Sequence, residues 1–116
     1  MSFIVQTGKV IDPGPLQDSS GYLYRWATIV AAAEGLAVVG GDVSYQVLVS
    51  GDQAAVVGKL TESGNQPILV FAGRYTAVVD VHGVMTHQVD AGYVGLSLND
   101  PSFGATGSSA SPSWEG

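Results

Sequence analysis

The chain contains no cysteine, so disulfides and thiolate metal sites are excluded and the redox compartment is left open. Charge is also scarce. Charged residues make up 12% of the sequence, about half the usual share of roughly 25%. Only four are basic, Lys9, Arg25, Lys59 and Arg74, and they lie far apart against a net charge of −6. Phosphate neutralisation takes clustered Lys and Arg, so no direct nucleic-acid partner is expected. Long apolar runs are missing too. The longest nearly uncharged apolar window, Trp26 to Ala33, is far short of a membrane span, and no membrane partner is expected. No basic segment followed by an apolar one opens the chain, so no secretory signal is expected.

Catalytic signatures are equally absent. There is no GxSxG elbow, GxGxxG fingerprint, HExxH pair or EF-hand loop. Gly58-Lys59 invites comparison with a phosphate-binding loop. However, Gln53 stands where the first glycine is needed, and Leu60 replaces the Ser/Thr that would hold Mg²⁺. The one group of catalytic-type residues is Asp80, His82 and His87. On a continuous strand Asp80 and His82 share a face and His87 points the other way. Convergence on a metal would need Gly83 to break the register. No catalytic, cofactor or metal site is expected, and the chain is read as a non-enzyme.

What is present is a β pattern. Chain length suits a single domain with a core large enough to need no staples. Asp42 to Ser50 alternates, with Val43, Tyr45, Val47 and Val49 on one face and Asp42, Ser44, Gln46 and Ser50 on the other. Gln66 to Val89 holds the apolar run Ile68-Leu69-Val70-Phe71, then Ala72-Gly73 as a tight turn or bulge, then an alternation through Tyr75, Ala77, Val79 and Val81. It reads as the central hairpin. Residues 51–53 read as a turn and 54–60 (AAVVGKL) as a return strand. Asp90-Ala91-Gly92 reads as a further turn before the strand Tyr93 to Leu98. The segment from Tyr22 to Ala33 is open between helix and strand, with the β-rich Tyr22-Leu23-Tyr24 and Thr28-Ile29-Val30 favouring strand.

The ends differ from the middle. Residues 1–21 read as an N-terminal arm or small hairpin turning at Thr7-Gly8, followed by a loop from Asp12-Pro13-Gly14-Pro15. Residues 22–98 form the β domain. Residues 99–116, rich in Gly, Ser and Pro, read as a flexible tail with Phe103 and Trp114 as its only anchors. The fold class is therefore all-β, a small antiparallel sandwich or barrel with an N-terminal arm and a Gly/Ser-rich C-terminal tail.

Low charge with 46% apolar residues suits a surface that faces other protein chains. The candidate interface residues are Phe3, Ile4 and Val5 at one end, Phe103 and Trp114 at the other, and the alternating row Tyr22, Tyr24 and Trp26. That row is open between core, protein anchor and sugar-stacking platform.

The stretch Gly51 to Leu60 (GDQAAVVGKL), followed by Ile68 to Val81, resembles the layout of tailed-phage capsid decoration (cement) proteins. The resemblance implies a virion protein without catalytic residues or cofactors. Such a protein would bind the major capsid protein or other virion proteins across capsomer boundaries, commonly as a trimer or dimer. Two other readings stand beside it: a phage tail or head–tail connector component, and a carbohydrate-binding β-sandwich module using Tyr22, Tyr24 and Trp26.

Overall fold

A computed structural model of the chain describes residues 2–32, 42–98 and 100. Of the tail expected at 99–116, Asp100 alone is described; Asn99 and 101–116, with Phe103 and Trp114, lie outside the described residues. Strands are β1 (Ser2–Asp12), β2 (Gln17–Ser19), β3 (Tyr22–Ala32), β4 (Asp42–Ser50), β5 (Ile68–Val79) and β6 (Met85–Leu96). One helix, α1 (Asp52–Leu60), and a short 3₁₀ turn, Glu62–Gly64, separate β4 from β5.

The strands run in the order β1-β5-β6-β4-β3-β2, and β1 also pairs with β3. That last pairing closes the sheet on itself. The architecture is an all-β barrel, one of the two forms the alternation allows. β4 and β6 run parallel, from Tyr45 beside His87 to Leu48 beside Asp90, and every other pairing is antiparallel. Helix α1 fills the β4-to-β5 connection.

The interior follows from period-two burial. Ala27, Ile29, Val47, Val49, Leu69, Phe71 and Val89 are fully enclosed, with Val10 from β1 and Val57 from α1. Full burial of one aliphatic or Phe side chain is worth about 1.5–3 kcal/mol, so these residues carry the barrel's stability.

The structure corrects several expectations. The N-terminal stretch is a wall strand: Ser2–Lys9 lies along β5, and Lys9–Asp12 along β3. Gly8 is no hairpin turn. It stands where β1 passes from one neighbour to the other, and a Cβ there would meet the Val30 carbonyl oxygen at 2.6 Å and the Ile29 side chain at 2.8 Å. Such close approach is a usual reason for glycine in a strand. Residues 54–60, expected as a return strand, are helical. Ala54, Val57 and Leu60 recur every third residue on one helical face, and Ala54 and Val57 are buried. Asp52 occupies the first turn and Lys59 the last, both favourable toward the helix dipole. Thr61 ends the helix, its Oγ1 donating to the Val57 carbonyl at 2.8 Å.

The central hairpin is longer than its sequence suggests. Of the two forms expected at Ala72-Gly73, turn or bulge, the bulge is the one found, and Asp90-Ala91-Gly92 does not end a strand. Between Ala72 and Gly73 the register shifts, leaving Gly92 as the extra residue of a bulge in β6. The turn itself lies at Asp80–Val84, where Asp80 Oδ1 accepts from the backbone of His82 (2.8 Å) and Val84 (2.9 Å).

If barrel closure depends on contact at Gly8, Gly8→Val should cost at least the about 1–3 kcal/mol typical of overpacking. Gly92 has open space around its Cβ position, so Gly92→Ala should change stability by no more than about 0.5 kcal/mol. Denaturant unfolding compares the two, and equal midpoints would remove Gly8 from the closing contact.

Candidate functional site

Strand β3 sorts its side chains by alternation from Arg25 onward, while Leu23 and Tyr24 near its start are both half-buried. Arg25, Ala27, Ile29 and Ala31 are buried, while Tyr22, Tyr24, Trp26, Thr28 and Val30 look outward. Trp26 is 37% exposed and Tyr22 56%. The rings of Tyr22 and Tyr24 lie 6.2 Å apart, tilted by 31°. Register places Ser50 beside Tyr24, Leu48 beside Trp26 and Gln46 beside Thr28. The outer face of β3 and β4 is therefore a row of three aromatic rings that gives way to a hydrogen-bonding patch. There Gln46 Nε2 donates to Thr28 Oγ1 at 3.0 Å.

Local chemistry stiffens this face. The β2–β3 hairpin turns through Ser20 (φ 55°) and Gly21 (φ 86°), positive at both central positions as a type I′ turn requires. Asp18 Oδ1 accepts from Gly21 N at 2.8 Å, and Asp12 Oδ1 from Gly14 N at 2.9 Å. Gly14 approaches the Trp26 backbone closely, and a Cβ there would meet the Trp26 carbonyl oxygen at 2.2 Å.

Arg25, between Tyr24 and Trp26, points inward and is 7% exposed. Its Nη1 donates to the Gly14 carbonyl at 3.2 Å, and its Nε has no partner among the described residues. Burial lowers its pKa, yet a guanidinium keeps its proton in proteins. A fixed positive charge thus sits beneath the aromatic row. On the outer face, Lys9 pairs beside Val30 and Asp12 beside Thr28.

A second aromatic group lines the barrel. Tyr45 meets Phe71 edge-on at 5.6 Å and Tyr75 at 6.5 Å, and His87 stacks on Tyr75 at 5.7 Å. The Tyr75 hydroxyl shares a 2.5 Å hydrogen bond with His87 Nδ1. Burial first, and Tyr75 second, raise the Tyr45 pKa.

The residues singled out in the sequence fall into separate places. Tyr22, Tyr24 and Trp26 come together as one exposed face. Phe3 and Val5 point outward on another wall, beside Arg74 and Ala72 of β5, while Ile4 packs against the core. Asp80 and His82 belong to the hairpin turn, and His87 is engaged with Tyr75 inside. No group of three or more metal-ligating side chains exists among the described residues. Thr28, Gln46 and Leu48 join the face only through the β3–β4 register. The polar side of the 42–50 alternation signals Gln46 alone.

No family model and no curated protein matches the sequence. Solved structures do match. The chain is similar to the small single-stranded DNA-binding protein from Streptomyces coelicolor, with TM-score 0.57, 15% identity and coverage of 84% of this chain and 93% of that one. It is also similar to the second single-stranded DNA-binding protein, SSBb, from Mycobacterium smegmatis, with TM-score 0.54, 16% identity and coverage of 84% and 88%. The barrel is of the OB type. Five strands close with the Greek-key order of that fold.

These similarities overturn the virion reading. The resemblance to capsid decoration proteins rested on Val-, Ala- and Gly-rich strands at regular spacing, and any small β barrel built of short side chains has those. Its implied partner, the major capsid protein, goes with it. The tail or connector component and the carbohydrate-binding sandwich fit the similarities no better. The exclusion of nucleic acid fails as well, because it used the charge of the whole chain, whereas a ligand meets one face.

The raised Tyr45 value has a consequence for stability. Folding holds this hydroxyl protonated more strongly than the unfolded chain does. Its contribution is complete below the ordinary tyrosine range near about 10 and is lost as pH rises through the folded value. Tyr45→Phe should therefore soften the decline of Tm above about pH 10. An identical decline in both proteins would show that Tyr45 is not titrating inside the fold.

Proposed function

We propose that this chain binds single-stranded DNA on the outer face of β3 and β4, as a binding protein without catalytic chemistry. The carrying observation is the outward row of Tyr22, half-buried Tyr24 and Trp26 on the second strand of an OB barrel, beside the outer face of the third. That face, with the loops between barrel strands 1–2 and 4–5, is where OB folds take oligonucleotides. Here those loops are the segment 13–21 and the turn at Asp80–Val84. The proteins of similar fold are named for single-stranded DNA binding, which supports the same reading.

Stacking and charge contribute unequally. Base–aromatic stacking is worth about 1–3 kcal/mol per base by alanine substitution, and it tolerates any sequence because every base has a π-face. The hydroxyl–amide pair of Thr28 and Gln46 adds hydrogen-bonding groups at the end of the row. Cations are few: Lys9 borders the face and Arg25 lies beneath it. Affinity thus depends chiefly on the rings. Each phosphate neutralised on a single strand contributes about −0.7 to the slope of log K against log salt. One or two contacts give a slope of about −0.7 to −1.4, shallow for a single-strand binder.

Fluorescence anisotropy with a labelled oligothymidylate measures both quantities. Trp26→Ala should weaken binding by about 1–3 kcal/mol, roughly 5- to 150-fold, with circular dichroism unchanged. Lys9→Ala should flatten the salt slope by about 0.7. Unaltered affinity in Trp26→Ala would place binding elsewhere on the barrel.

A further inference from the structure

Away from the aromatic row, the outer wall of β1, β5 and β6 carries a second set of outward rings. β1 turns Phe3 and Val5 to solvent, and Phe3 is 76% exposed. Register sets Phe3 beside Arg74 and Val5 beside Ala72, and Ala72 stands beside Tyr93 of β6. Tyr93 is 56% exposed. A Cβ on Gly95 would collide with the hydroxyl and ring of Tyr93. Glycine at that position therefore lets the ring lie down along the sheet, with a π-face open to a ligand. Strands lie roughly 5 Å apart and rise roughly 3.3 Å per residue, so Phe3 and Tyr93 stand roughly 12 Å apart at the backbone.

Cations mark the way to this wall. Arg74 is exposed on it, with Asp90 as its neighbour in register. Lys9 is exposed at the seam between the two outer faces, for its partners are Val30 of β3 on one side and Ile68 of β5 on the other. From Lys9 back to Phe3, β1 covers roughly 20 Å. With Arg25 beneath the aromatic row, Lys59 on α1 is the basic residue that lies off this path.

We propose that a single strand bound on the β3 row continues past Lys9 onto this wall, stacking bases on Tyr93 and Phe3 and setting a phosphate against Arg74. The inference rests on the DNA-binding reading above and extends its path. Rings interspersed with cations suit a single strand, whose bases stack and whose phosphates follow the positive charge. The core of a protein interface is instead depleted of charge, whereas Arg74 and Asp90 stand side by side on this wall. Tethering adds to the preference. A strand already held at Trp26 meets the wall at an effective concentration of millimolar order, while a second copy arrives from free solution. Because Asp90 weakens the local positive potential, the rings supply most of the added affinity.

Anisotropy with two oligothymidylates, of about 5 and about 15 nucleotides, tests the path, since one OB fold occupies roughly 4–16 nucleotides. Phe3→Ala and Tyr93→Ala should each weaken binding of the longer strand by roughly 5- to 150-fold and leave the shorter one unchanged. Arg74→Gln should flatten the salt slope by about 0.7 for the longer strand alone. All three side chains are exposed, so circular dichroism of the variants should match the wild type. Trp26→Ala with the shorter strand reports on the β3 row by itself, which keeps failure of that reading distinct from failure of the extended path. Unchanged affinity of Phe3→Ala and Tyr93→Ala for the longer strand would overturn the proposal, as would losses equal at both lengths. So would a mass by sedimentation, measured without DNA, that falls in these variants, since this would assign the wall to a second copy.

Discussion

Everything on the outer surface depends on β1 serving two neighbours at once. One strand of moderate length pairs with β5 through Lys9 and with β3 from Lys9 onward. The change of partner is possible because Gly8 lets the backbones of β1 and β3 approach more closely than a Cβ allows. Closure removes the open edges that would otherwise invite pairing with other chains. It also forces each strand to divide its residues strictly between a filled interior and an outer face. The aromatic row is the outer half of that division on β3.

The same constraint explains why an arginine lies in the interior register. Arg25 occupies a position that closure turns inward, at the end of the barrel next to α1 and the 13–16 loop. Gly58 of the helix makes room for its guanidinium, since a Cβ there would meet Nη2 at 2.7 Å. Desolvation of this charge is costly, and one carbonyl from Gly14 offsets only part of it. The arrangement fixes the loop beneath Trp26 and leaves a positive charge near a surface otherwise short of cations. A ligand bound there is held by flat hydrophobic rings first and by charge second, consistent with an acidic chain carrying so few lysines and arginines.

Much of the barrel was legible in the sequence, because alternation over 42–50 and 74–79 reports a local property, the period of two; its continuation to Val81 misled, since Val81 stands 95% exposed in the turn. The strand character of 22–32 could be read from Tyr22-Leu23-Tyr24 and Thr28-Ile29-Val30 for the same reason. What resisted reading was non-local. The role of Gly8 is set by Val30, a residue far away in sequence, and nothing in Thr7-Gly8-Lys9 distinguishes a barrel corner from a turn. Residues 54–60 carried both patterns, β-branched Val56-Val57 against a three-residue apolar spacing, and packing of Ala54 and Val57 against the barrel decided for helix. Gly92 reads as a turn in the sequence and is a bulge in the fold, since both place a glycine between apolar strands. Whole-chain charge says little of the β3–β4 face, whose composition only the register of those two strands reveals.

If bases stack on the β3 row, the emission of Trp26 reports it directly. In a Trp114→Phe background, Trp26 is the sole tryptophan. Titration with oligothymidylate is predicted to quench its fluorescence saturably, with little effect from a duplex of equal length. Unchanged emission at concentrations where the oligonucleotide is bound, or equal quenching by duplex, would contradict the account.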